Sequence, residues 1–330
     1  MTDRIVIAGA SGFLGQYLVS QFRAEGATVS TIGRSSSDAV WGDTDAIVRL
    51  LDGADLVINL AGKSVNCRYT PANRAEILRS RVETTRELNV AVRRCATPPP
   101  LWVNSSTATI YRHADDRPMT ESSGELGEGF SVDIARAWEK EFFANDLPGT
   151  RRVALRMAIV LGDGSALRPL VNLARFGLGG PQLDGRWFAG RRRRQAGTFH
   201  EFRTPGGRQK FSWVHIADVL EVIRFVRSRP EIDGAVNVSS PNPSDDRTVM
   251  ASIRRVLGMP VGLPAFRWML EAGMFVFRTE PELVLKSRWV LPERLLNVGF
   301  QFTQPNLAAA LTDILHPTPA THARPQEQRS

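Results

Sequence analysis

Gly9-Ala10-Ser11-Gly12-Phe13-Leu14-Gly15 is the stretch that decides the fold. The apolar run Ile5-Val6-Ile7-Ala8 precedes it and an amphipathic segment through Phe22 follows, so glycine punctuation falls between a buried strand and a helix. Small residues have a physical use there. A tight turn needs the conformational freedom of glycine, and bare N–H groups at a helix N-terminus, where the dipole is positive, hold phosphate oxygens. In this context the pattern predicts a dinucleotide-binding turn, with Gly9, Ala10, Ser11, Gly12, Phe13 and Leu14 cradling a pyrophosphate.

Outward from that turn, Ala27 to Ile32, Ala54 to Leu60, Leu101 to Ser105 and Arg152 to Leu161 read as further strands. Helical stretches at 71–94 and 130–143 separate them, the first with Pro71 suited to an opening turn. Alternating strands and helices predict parallel βαβ units with right-handed crossovers. The expected fold class is therefore α/β, a Rossmann-type doubly wound and mostly parallel sheet over residues 1–162. A smaller C-terminal substrate lobe is expected over 163–315, with short strands near 211–214 and 235–239, and a disordered tail over 316–330.

Cofactor choice turns on the end of the second strand. An NAD site usually offers a carboxylate to the ribose 2′-hydroxyl, but this chain reads Thr31-Ile32-Gly33-Arg34-Ser35-Ser36, with no acidic residue before Asp38. The planar fork of Arg34 and the hydroxyl of Ser35 suit a 2′-phosphate, which points to NADP(H).

The totals exclude several other classes. The chain has 330 residues and a formal net charge of +8, of which +7 lies between Arg186 and Lys210. Basicity that belongs to one segment argues against a nucleic-acid-binding face. Cys67 and Cys95 form no CxxC pair and the histidines no zinc motif, so no metal is expected. No apolar run long enough to cross a membrane occurs and nothing resembling a signal peptide opens the chain, so a cytoplasmic protein is expected.

The basic insertion, 185–207, carries Arg191-Arg192-Arg193-Arg194 together with Trp187, Phe188, Phe199 and Phe202. Three readings stand: a lid over an acidic or phosphorylated substrate, a solvated or oligomer-facing loop, and a contact for nucleic acid or an anionic membrane.

The glycine turn, Asn59-Leu60-Ala61-Gly62 and Ser105-Ser106-Thr107-Ala108-Thr109-Ile110-Tyr111 together resemble extended short-chain dehydrogenase/reductases of the epimerase/dehydratase type. Ser80-Arg81-Val82-Glu83-Thr84-Thr85, Phe211-Ser212-Trp213-Val214-His215 and Leu291-Pro292-Glu293-Arg294-Leu295-Leu296 are more specifically similar to an atypical, uncharacterised epimerase-like branch. The resemblance covers nearly all of residues 4–315. It implies that Leu60 and Ala61 line the cofactor through their backbone, that Glu76 and Arg81 lie near the adenosine or its phosphates, and that Ile159 approaches the nicotinamide.

In that family a Ser or Thr polarises the reacting carbonyl or hydroxyl, a role Thr107 fits, and a Tyr-x-x-x-Lys pair moves the proton. Here the Tyr and Lys positions, aligned on Trp138-Glu139, are Ser131 and Ala135. A serine alone is a far weaker acid or base than a phenol beside an ammonium. Arg136 can bind a ribose or anion but cannot serve as a base. Asp133 and His113 are alternative proton carriers, and Tyr111 reads as structural. The expected function is an NADP(H)-binding oxidoreductase or epimerase-like enzyme acting on a small polar, anionic or sugar-like substrate. The rival is a non-catalytic NADP(H)-binding sensor. A homo-oligomer is compatible with the sequence, and a membrane partner is not expected.

Overall fold

The computed structural model describes residues 2–164, 167–188, 190–276 and 282–317. Strands β1 (Arg4–Ala8), β2 (Thr28–Gly33), β3 (Ala39–Val40), β4 (Leu56–Asn59), β5 (Leu101–Thr107) and β6 (Arg151–Met157) join the strand Gly234–Val238 in one seven-stranded sheet. Its order is Gly234–Val238, β6, β5, β4, β1, β2, β3, with every neighbouring pair parallel. Strand order reverses between β1 and β4, and that switch point is where an open α/β sheet leaves a crevice for a ligand.

Both faces of the sheet are covered, which explains the continuous apolar runs of β1 and β4. Ile5 and Ile7 point to one face, packing with Leu18 and Phe22 of helix α1 (Phe13–Ala24) and with Val219, Leu220 and Ile223. Val6 and Ala8 point to the other, with Ile47 of helix α2 (Thr44–Leu51), Leu88 of helix α3 (Pro71–Arg94) and Phe142 of helix α4 (Phe130–Phe142). The period of two in a strand sends neighbours to opposite cores. Helix α2 was not anticipated; Asp43 starts it by accepting a hydrogen bond from the Ala46 N–H at 2.9 Å.

The chain returns to the sheet late. The helix Ile216–Ser228 packs on its face and Gly234–Val238 forms its edge, although the sequence reading assigned both to the C-terminal lobe. Beyond the sheet, Leu161, Leu167, Leu170, Trp213, Val249, Ile253 and Leu311 build a separate core. The basic segment is not loop throughout, since Arg191–Gln195 makes a short helix. The tail expected over 316–330 lies outside the described residues from 318 onward.

Candidate active site at the sheet switch point

The glycine turn after β1 is shaped so that backbone meets backbone. Gly9 has φ +79°, and a Cβ on it would sit 2.8 Å from the Ala61 nitrogen. A Cβ on Gly15 would sit 2.5 Å from the Gly9 carbonyl oxygen. Gly12 opens α1 with no side chain capping it and no acidic residue in the first turn. The first N–H groups of that helix are left for a ligand. Ser11 and Gly12 are exposed, while Ala10, Phe13 and Leu14 are half-buried. These residues fit a dinucleotide diphosphate, because the cradle is space that any Cβ would fill.

At the end of β2, Arg34 and Ser35 are exposed, and among the described residues Arg34 has no carboxylate partner. Asp38, the nearest acid, folds back so that its Oδ2 accepts from the Thr31 N–H at 2.7 Å and the Thr31 hydroxyl at 2.9 Å. That carboxylate is committed to closing the turn.

Next to the cradle is a cavity of about 190 Å³, whose lining includes Leu60, Tyr69, Arg81, Thr107, Ser131 and Trp138. Buried Asn59 shapes its floor: its Oδ1 accepts from the Ala61 N–H at 3.0 Å, and its amide donates to Asn104 at 2.7 Å and Thr85 at 3.2 Å. Arg81 donates from Nη1 to the carbonyls of Lys63 and Ile77, both at 3.0 Å, and its guanidinium lies 5.1 Å from the Trp138 ring centroid. Loss of surrounding water pushes its pKa down to about 10. The structure does not bring Glu76 to Arg81; Glu76 is instead paired with Arg79 at 2.7 Å. Ile159 sits in the short strand Ile159–Leu161, packed on the C-terminal core rather than lining this cavity.

Thr107 ends β5 at the cavity. Its hydroxyl oxygen accepts from the Thr109 N–H at 3.1 Å, so its own O–H proton remains to be donated to a substrate oxygen. Of the other candidates, Asp133 and Arg136 are exposed on α4. Tyr111 is buried and saturated: its hydroxyl donates to Asn237 and accepts from Arg156, each at 2.9 Å. His113 is engaged at both ring nitrogens. Its Nδ1 accepts from the Ser287 N–H at 3.0 Å, and its Nε2 lies 3.1 Å from Asp115. Ala135 is fully buried and presents no polar group.

The start of α4 is completed by residues far away in sequence. Ser131 donates to Glu282 Oε2 at 2.8 Å, with His200 Nε2 3.7 Å from the same oxygen. Lys286, 4% exposed, donates to the Thr109 carbonyl at 2.9 Å, and Arg288 donates to the Thr109 hydroxyl at 3.2 Å. Burial pushes the Lys286 ammonium down to about 8. The same cause holds the His200 imidazole below its ordinary pKa, against the raising effect of Glu282. The sequence marks Ser131 only as the residue standing at the family's tyrosine position, and it gives no sign of Glu282 or Lys286, which belong to no motif.

The basic insertion is tied down beside this corner. The Phe130 N–H donates to the Gly197 carbonyl at 3.2 Å, and Arg74 donates to the Ala196 carbonyl at 3.2 Å. Arg193 pairs with Glu271 at 3.0 Å, and buried Arg267 joins Asp184 and Glu271, each at 2.7 Å. The Phe202 ring stacks between His113 and His200, with centroids 4.6 and 5.2 Å away.

Comparison with known proteins places these features in a context. Residues 5–129 match the model of the NAD dependent epimerase/dehydratase family, and residues 265–314 match a domain of unknown function, DUF1731. The chain is 30% identical over 321 residues to the epimerase family protein SDR39U1 of Bos taurus, covering 94% of this chain and 99% of that one. It is 29% identical over 320 residues to the epimerase family protein YfhF of Bacillus subtilis, covering 94% and 97%. Human SDR39U1, solved with NADPH, superposes with a TM-score of 0.80 at 25% identity, over 96% of this chain and 100% of that one.

Proposed function

The chain belongs to the NAD-dependent epimerase/dehydratase family, and from that premise we propose that it is an NADP(H)-dependent oxidoreductase or epimerase acting on a small polar substrate. The observation that carries the reading is the glycine cradle opening beside a cavity that Thr107 and Ser131 share. Bound NADP(H) supplies hydride chemistry at such a site.

The chain's own residues divide the remaining work. The turn from Gly9 to Leu14 holds the diphosphate by backbone N–H groups, with Leu60 and Ala61 as the facing wall. Arg34 and Ser35 take the 2′-phosphate, and the co-crystallised NADPH of human SDR39U1 supports that preference. Thr107 donates its proton toward the oxygen on the reacting carbon. Arg81, part of the wall and without a carboxylate partner among the described residues, supplies a positive charge. Arg136 is exposed on α4 and is not part of the cavity lining. The small, polar-edged space suits a sugar-like or hydroxy-acid fragment.

A second reading, a non-catalytic NADP(H) sensor, is favoured by one observation. α4 carries Ser131 and fully buried Ala135 where the family resemblance implies tyrosine and lysine. Titrating the protein with NADPH and NADH by fluorescence, while screening carbonyl compounds for oxidation of bound NADPH, separates the two. The enzyme reading expects tight NADPH binding and oxidation by at least one carbonyl, lost in Thr107→Ala with affinity for NADPH retained. Oxidation that survives Thr107→Ala takes Thr107 out of the mechanism.

A further inference from the structure

The geometry points to a proton relay from Ser131 to Glu282 that does the work of the absent tyrosine and lysine; it rests on the oxidoreductase reading above. Three observations converge. First, Ser131 lines the cavity with Thr107 and Thr109, so its oxygen is available to a substrate oxygen. Second, its hydroxyl proton is already given to Glu282 Oε2 at 2.8 Å, from a carboxylate only 6% exposed. A hydroxyl whose proton is committed to a carboxylate turns its lone pairs to the other side, where they can accept a proton. Third, the competing carriers are removed: Tyr111 and His113 have their polar atoms engaged, and Asp133 is exposed.

The charged and titratable groups facing Glu282 are His200, Lys286 and Arg288. His200 comes from the basic insertion, Lys286 lies one turn along the same segment, and Arg288 donates to the Glu282 backbone carbonyl at 3.4 Å. In the oxidising direction the substrate hydroxyl passes its proton to Ser131 as Ser131 passes its own to Glu282. The hydrogen on the same carbon leaves as hydride to NADP, giving a carbonyl. In the reducing direction a protonated Glu282 would re-supply Ser131, which would protonate the oxygen while carbon takes the hydride that bound NADPH would supply. In each direction two linked proton shifts carry a net one proton between substrate and Glu282, together with one hydride. Glu282 acts through Ser131 and never meets the substrate.

The test uses the full chain and the carbonyl compound it reduces fastest from a panel of aldehydes, ketones and keto sugars. Ser131→Ala and Glu282→Gln should each lower kcat about 100-fold or more, with KM and NADPH affinity changed less than about threefold. Ser131→Thr, which keeps the hydroxyl, should recover most of the rate. A readout without cofactor accompanies it: the His200 imidazole, followed by NMR, should titrate at lower pH in Glu282→Gln because an anionic neighbour is gone. Unchanged kcat in both variants, or a His200 titration that does not move, overturns the relay. A wild type that binds NADPH but reduces no carbonyl also overturns it and leaves cofactor binding standing. Failure to bind NADPH overturns both readings together.

Discussion

The glycine turn and the α4 corner of the candidate site are built on opposite principles. The turn is made of backbone within residues 9–15, closed by the Leu60–Ala61 backbone, and its requirement is that no Cβ intrude. The corner is made of side chains drawn together across the chain: Ser131 and Glu282 are 151 residues apart, and Lys286 and Thr109 are 177 apart. A backbone site is specified by what is missing from the sequence, and a side-chain site by what the fold carries in from elsewhere. The two should therefore break differently. The largest effect belongs to the turn. Gly15→Ala drives a Cβ to 2.5 Å from a carbonyl that cannot rotate away, so NADPH affinity should fall about 1,000-fold, some 4 kcal/mol. Isothermal titration measures it, and near-normal affinity would show that the turn has slack its geometry denies.

The corner should break through charge. Lys286 has a folded pKa of about 8 against 10.5 for a free side chain. Burying the protonated form costs stability at every pH below about 8, and that cost fades as pH rises from about 8 to 10.5. Denaturant melts of wild type and Lys286→Met across that window should show the wild type gaining on the variant by up to about 3 kcal/mol. A stability difference that stays flat from pH 8 to 10.5 would mean that the ammonium is solvated and that the corner is looser than described.

This contrast also explains what could be read from the sequence. The sheet, the shape of the glycine turn and the position of Thr107 at the cavity were legible because each depends on local pattern: apolar strand runs, glycine spacing, and the last residue of β5. Leu60 and Arg81 were legible through family resemblance, and both border the cavity. Glu76 is expected with Arg81 near the adenosine or its phosphates; in the structure it pairs with Arg79, and five residues on a helix turn it off the face that Arg81 occupies. Glu282, Lys286 and His200 carry no local signature at all. The return of Gly234–Val238 to the sheet edge was hidden for the same reason, since strand pairing over such a distance leaves no periodicity to read.

A smaller effect tests the far end of the turn's work. Arg34→Ala should weaken NADPH binding about 10- to 100-fold, as expected for loss of a charge-assisted hydrogen bond. NADH binding should change little, because only NADPH brings a 2′-phosphate to that position. Equal losses for both would remove the physical reason for preferring NADP(H), and Asp38, tied to Thr31, could not then be invoked as a ribose ligand without breaking its turn.

The smallest effect concerns the wall that the basic insertion adds to the corner. Its arginines have unequal duties: Arg193 reaches Glu271, which is 6% exposed, while Arg191 and Arg192 are exposed. Glu271 keeps a second partner in Arg267, so Arg193→Ala should cost only about 1 kcal/mol in a denaturant melt. Replacing Arg191 and Arg192 by serine should stay within about 0.5 kcal/mol. If the insertion is held against α4 by Arg193, its loss should also raise hydrogen exchange at Phe130, whose N–H bonds to Gly197, and the Arg191/Arg192 variant should not. Equal exchange in the two variants would place the anchoring in the buried Arg267 cluster and the backbone bonds to Ala196 and Gly197 instead of in Arg193.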